Sequence, residues 1–250
     1  GTDTLTLPAN RKLLVWDSKE FEPNGDVTLL GGGGGASYDG TLELMTSATF
    51  DATGSETHTI GGSLVLGSGA VLDDDTSTFT FTTSGAGRTI DTNEYSFYNL
   101  TLNGSGSWTV TNNALEVGNN ITITQGALTL PSGTSTVGGS FTVTGGSFVQ
   151  NGGSMYFVGS GAHTIRTGSS AFGTTTFGGA GTWTYQGTNS TSTGNFLIAS
   201  GTVVSATGTL TLGNHFVNRG TFTHSGGALR FISSLASTTI TSSSSDLGSV

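Results

Sequence analysis

The chain has 250 residues, a formal net charge of −9, only 9% charged residues, 42 glycines and no cysteine. Its seven Lys and Arg are too few for the clustered cationic footprint of a nucleic-acid surface, and no apolar run approaches the ~18 residues of a membrane-spanning helix. Without disulfides, stability must come from regular hydrogen bonding and a long core. In chain order, Thr4-Leu5-Thr6-Leu7-Pro8 reads as a short alternating strand and Leu13-Leu14-Val15-Trp16 as a compact apolar run. Seven charges follow one another between Arg11 and Asp26. Gly31 to Gly35 are five glycines in a row, a hinge or exposed loop with no side chain to anchor it. Residues 1–35 therefore read as a distinct N-terminal segment, either a cap or an arm that adds strands to a neighbour, and residues 36–250 as the main domain.

From Ala36 onward the pattern is uniform. Thr41-Leu42-Glu43-Leu44, Ser63-Leu64-Val65-Leu66, Thr78-Phe79-Thr80-Phe81, Asn120-Ile121-Thr122-Ile123, Ala127-Leu128-Thr129-Leu130 and Thr209-Leu210-Thr211-Leu212 all alternate. Period-2 alternation is the signature of a half-buried strand, and Thr suits the outer position because it is β-branched. Gly-Gly, Asn-Gly and Ser-Gly pairs punctuate the runs as turn signals. No helical period is present, so the class is all-β.

The chain also repeats itself. Phe97-Tyr98-Asn99-Leu100-Thr101-Leu102-Asn103-Gly104-Ser105-Gly106-Ser107-Trp108-Thr109-Val110 aligns with Phe172-Gly173-Thr174-Thr175-Thr176-Phe177-Gly178-Gly179-Ala180-Gly181-Thr182-Trp183-Thr184-Tyr185 at an offset of 75. The same offset maps Gly126 on Gly201, Phe141 on Phe216 and Ile165 on Ile240. A strand-rich repeat built by accretion predicts a β-solenoid (parallel β-helix), each 75-residue unit supplying about three layers of ~4.8 Å. The alternative is a pair of tandem β-sandwiches with Trp108 and Trp183 as core residues; the strands are short and Gly-punctuated for that. Equivalent residues are expected to stack, with Trp108 and Trp183 at one angular position and Leu128 and Phe141 inward.

The segment 97–110, followed by Gly118-Asn119-Asn120-Ile121-Thr122-Ile123-Thr124-Gln125-Gly126-Ala127-Leu128-Thr129-Leu130, resembles the Gly/Ser/Thr/Asn-rich repeats of bacterial extracellular fibre and adhesin proteins. The resemblance covers roughly residues 41–240. It implies a cell-surface role in attachment or fibre building. The terminal layers of a solenoid, or the N-terminal arm, add strands to a neighbour, so the expected main partner is the chain itself, with surface glycans as a further partner. It transfers no catalytic residue and no cofactor.

Enzymatic readings find little support. Glycoside hydrolysis needs two carboxylates flanking the bond, and no Asp or Glu occurs between Val117 and Ser245. His163 takes the place of Arg88 in the repeat, which reads as a solvent-facing position; His215 and His224 carry no more signal. Asp73-Asp74-Asp75, and the series Asp17, Glu20, Glu22, Asn24 and Asp26, are either Ca²⁺ ligands or solvated turns. Trp108, Trp183, Tyr98 and Tyr185 are either a sugar-stacking platform or a core ladder. Thr-x-Thr recurs, at Thr57/Thr59, Thr78/Thr80, Thr122/Thr124 and Thr142/Thr144 among others. Such pairs would suit an ice-binding face if they stood in register, but unequal layer lengths argue against that.

Overall fold

The computed structural model describes residues 4–32, 39–243, 245 and 247. These residues form 31 short strands and no helix. The chain winds as a β-solenoid, laying one strand on each of three faces per turn. The first face is an eleven-stranded sheet from Leu5–Leu7 to Thr221–Thr223. The second is a seven-stranded sheet from Lys12–Val15 to Ser147–Val149, continued by three strands, Asn189–Ser192, Thr209–Leu212 and Ala228–Phe231. The third begins with Glu20–Phe21, Thr49–Asp51 and Val71–Asp73 and continues as seven strands from Leu115–Val117 to Ile240–Thr241. Strands pair in parallel with the turn below, as in Leu100 with Ile121 and Ile121 with Phe141, so a turn takes 20–21 residues there. Sandwiches are antiparallel; the parallel ladders select the solenoid.

Alternation places every second side chain in the core. One inward column runs Leu7, Leu29, Ile60, Phe81, Leu102, Ile123, Val143. All but Leu7 are fully buried. Full burial of such a side chain is worth about 1.5–3 kcal/mol, and a column collects that at every turn. Aromatic rings fill the same core, with Phe157 stacked on Phe177 at 5.0 Å and Phe196 on Phe216 at 5.8 Å. The strands ahead of Gly31 stack on the same three faces as those after it, Val27–Leu29 on Thr57–Ile60 and Lys12–Val15 on Thr41–Leu44. Gly31 and Gly32 are described; Gly33 to Gly35 of the expected hinge lie outside the described residues.

The repeat does not keep step with the coil. Strands Asn99–Leu102, Ile121–Ile123, Phe141–Val143 and Ala162–Arg166 stack on the first face, three turns in all. Residues 167–170 then pass the second face without a strand, and Thr174–Phe177 joins the third. The unit therefore covers three turns and two faces of a fourth. Trp108 sits on the second face and Trp183 on the first. The expectation of a shared angular position is overturned, because 75 is not a whole number of 20-residue turns. Local structure is nonetheless preserved. The column Arg88, Trp108, Leu128, Phe148 reappears on the other face as His163, Trp183, Val203, Phe222. The corner glycines match as well: Gly126 has φ +76° and Gly201 φ +72°. A Cβ would lie 2.6 Å from the Gly106 carbonyl oxygen at the first and 2.6 Å from that of Gly181 at the second. Only glycine fits either corner.

Candidate interaction surfaces

The acidic residues singled out from sequence do not converge. Asp73 and Asp75 are exposed, whereas Asp74 is buried and accepts a hydrogen bond from the Tyr98 backbone N–H. Burial pushes the Asp74 carboxyl up to about 6, opposed by that hydrogen bond. Asp17, Glu20, Glu22 and Asn24 are exposed, and Asp26 is turned to accept the Thr57 N–H at 2.8 Å. Among the described residues no three His, Cys, Asp or Glu side chains are grouped to hold a metal ion.

The repeat position shared by Arg88 and His163 is not solvent-facing, contrary to expectation. Arg88 is buried at 5% exposure, with its guanidinium 3.5 Å from the fully buried Asp39. Asp39 also accepts the backbone N–H groups of Asn10 and Gly32 at 2.8 Å. His163 is half-buried, its ring 5.6 Å from that of Trp183, and burial lowers its pKa. Each of these residues precedes its Trp by one turn in an inward column, so the alternation of the strand decides its direction. His215 is half-exposed and accepts the Thr239 N–H at Nδ1, 3.0 Å. It borders a shallow groove on the third face with Leu197, Val217 and Arg219. His224 accepts the Gly226 N–H within its own turn.

Of the four aromatic residues weighed as a sugar platform, Trp108, Trp183 and Tyr185 are buried and only Tyr98 reaches solvent. Sequence reasoning passed over His58. It is fully buried between Phe50 and Phe79, at ring distances of 5.0 and 5.1 Å, and neither ring nitrogen has a hydrogen-bond partner. Burial lowers its pKa to about 4, with Glu56 and Asp26 pulling weakly the other way. Its position on the inward phase of Thr57-His58-Thr59-Ile60 was the available signal.

Two surface features stand out. The first is the pair of solenoid ends. Among the described residues, Leu7, Leu13, Phe21, Phe231 and Leu247 contact the core while only partly buried. The first three belong to the opening turn and Phe231 to the closing one. Leu5 at one end and Ile232, Leu235 and Ile240 at the other are exposed outright. The second feature is the outer side of the first face. There Thr6, Thr28, Thr59, Thr80, Thr101, Thr122 and Thr142 stand in register, one per strand. No protein-family model, no curated protein and no solved structure matches the chain.

Proposed function

We propose that this chain is a non-enzymatic structural rod of a bacterial extracellular fibre, sheath or adhesin, and that it extends by end-to-end stacking on further copies of itself. The observation that carries the reading is the open core. Inward columns continue to the end layers, where Leu7, Leu13, Phe21 and Phe231 are only half covered. Their strands are the outermost of their sheets, and an edge strand templates another strand. A second copy set head to tail supplies both missing layers at once. Charge favours that polarity. Residues up to Glu116 carry fifteen acids against four cations, while those beyond it carry three arginines and only Asp246. The opening turn carries exposed Asp17, Glu20 and Glu22 beside exposed Arg11 and Lys19, so the gradient resides in the halves of the chain; exposed Arg219 and Arg230 lie near the closing turn. A heterologous contact of this kind builds open filaments. The Ser/Thr/Asn/Gly-rich surface, poor in Lys, supports an extracellular setting.

Sedimentation velocity of the 250-residue chain tests the reading, together with the variants Leu7→Lys and Phe231→Lys. The wild type is expected to form oligomers that grow with concentration. Each variant has one blocked end and is expected to stay monomeric, while an equimolar mixture of the two forms a dimer through the ends left intact. A wild type monomeric at every concentration, or a single variant that dimerises alone, overturns head-to-tail stacking.

A further inference from the structure

The first face carries a regularity that strand formation does not require. All three faces need β-formers on the outside, and only the first holds one residue type over as many as seven successive strands; the second reaches three, Thr89, Thr109 and Thr129. Seven threonines, from Thr6 to Thr142, stand on seven successive strands. The column spans roughly 29 Å at the usual strand spacing. Beside it, two positions earlier on three of the strands, lie Thr57, Thr78 and Asn99, with Asp26 next to Thr57 at the start of that second column. No charged or aromatic side chain interrupts the column until Arg166 follows Thr142. The outward positions of the second face read Leu14, Glu43, Val65 on its first strands and Thr89, Thr109, Thr129, Val149 on its later ones. That of the third reads Glu116, Thr136, Tyr156, Thr176, Leu197, Val217.

Register on the first face also survives changes in turn length. Thr28 and Thr59 pair although 31 residues separate them, against 20 for Thr122 and Thr142. The difference in residue number leaves the column untouched. Unequal layers were the reason to expect no lattice, and the structure removes it.

We propose that this threonine face binds ice. Each Thr presents a hydroxyl, both donor and acceptor, beside a methyl group. Repeated at ~4.8 Å along the solenoid, these groups form an uncharged row, widened to two columns ~6.7 Å apart on the strands that carry Thr57, Thr78 and Asn99. A ligand that matches it must be rigid, periodic and uncharged, and must hydrogen-bond at every lattice point. The surface of hexagonal ice has those properties, with an oxygen repeat along its a axis close to the strand spacing. An anionic polymer finds no cation on the column before Arg166, and a sugar chain finds no aromatic ring to stack on. The proposal is independent of end-to-end stacking, since it uses a side of the rod and not its ends.

The test is growth of a single ice crystal in a solution of the full chain, read as thermal hysteresis and crystal faceting. Thr80→Tyr with Thr101→Tyr disrupts the centre of the column, and Thr109→Tyr with Thr129→Tyr places the same bulk on the second face. The wild type and the second-face variant are expected to facet the crystal, and the first-face variant to lose the effect. Circular dichroism checks that each variant is folded; if the paired tyrosines unfold the chain, Thr101→Lys replaces them with the same expected loss. A folded wild type that neither facets ice nor shows hysteresis overturns the proposal. So does equal loss in the second-face variant, or binding to crystalline cellulose or chitin without any effect on ice.

Discussion

The two copies of the repeat, residues 97–170 and 172–245, share a strand pattern but not a place on the rod. In the first copy the Trp108 strand lies on the second face; in the second copy the Trp183 strand lies on the first. Whole columns moved together, since Trp108, Leu128 and Phe148 correspond to Trp183, Val203 and Phe222. A strand of this protein is therefore not written for one face. It is written for a turn of about 20 residues with an apolar residue at every second position, and any face that offers neighbours of that kind accepts it. The residue count between corners, not the side chains, assigns the face.

The sharpest way to break this comparison is to charge the same column in both copies. Leu128 and Val203 are both fully exposure-free in the core. Leu128→Asp and Val203→Asp each bury an unpaired carboxylate in a thin core, which is expected to cost more than about 4 kcal/mol and to abolish cooperative melting near the wild-type temperature. Equal losses support the interchangeability of faces. A Val203→Asp protein that melts like the wild type shows that the second copy packs loosely on its new face.

The turns ahead of the repeat supply a second contrast, because they hold two buried groups that titrate in the acid range. His58 is neutral in the fold, with its pKa lowered from 6.5 to about 4 by burial. Its contribution is present above pH 6.5 and is lost as pH falls towards 4, by about 3 kcal/mol. Asp74 runs the other way, raised from 3.8 to about 6 by burial. Its contribution is full below pH 3.8 and is lost as pH rises through 6, again by about 3 kcal/mol. In the wild type the two slopes oppose each other between pH 4 and 6, and urea titrations are expected to give a nearly flat profile there. Asp74→Asn uncovers the His58 slope, with stability falling as the solution is acidified. His58→Phe uncovers the opposite slope. A flat profile in both variants means that neither group is desolvated as its burial indicates.

Much of this architecture was legible in the sequence. The alternation gave inward and outward residues, the offset of 75 gave the repeat, and the lack of helical period gave the class. The angular phase was not legible, because it depends on how many residues each corner consumes and whether a strand is skipped, as at residues 167–170. The threonine column was hidden for the same reason: Thr-x-Thr was plain, but its register follows from turn lengths that a sequence does not display. Arg88 was misjudged by comparing repeats instead of neighbours. Ile90, two residues on and fully buried, already placed Arg88 on the inward side of its strand. Trp16 ends the apolar run 13–16 and stands 63% exposed just after strand Lys12–Val15.

The smallest and most specific difference between the copies concerns the two indoles. Both tryptophans are fully buried. The Trp108 Nε1–H donates to the Gly62 carbonyl at 3.1 Å, a group in the turns that precede the repeat. Trp183 has moved to another face, where its Nε1–H has no acceptor and its ring neighbours are Phe157, Phe177 and His163. A buried donor without a partner carries a desolvation cost of about 1–3 kcal/mol, and removing one member of a buried pair exposes a similar cost on the other. Tryptophan to phenylalanine removes the same volume in each copy, so the cavity terms largely cancel in the difference. Trp108→Phe is then expected to destabilise the chain more than Trp183→Phe, by about 2 kcal/mol, read from the midpoints of urea unfolding. If the two variants unfold at the same midpoint, the second copy has found an acceptor for Trp183, and the move between faces carried no polar cost.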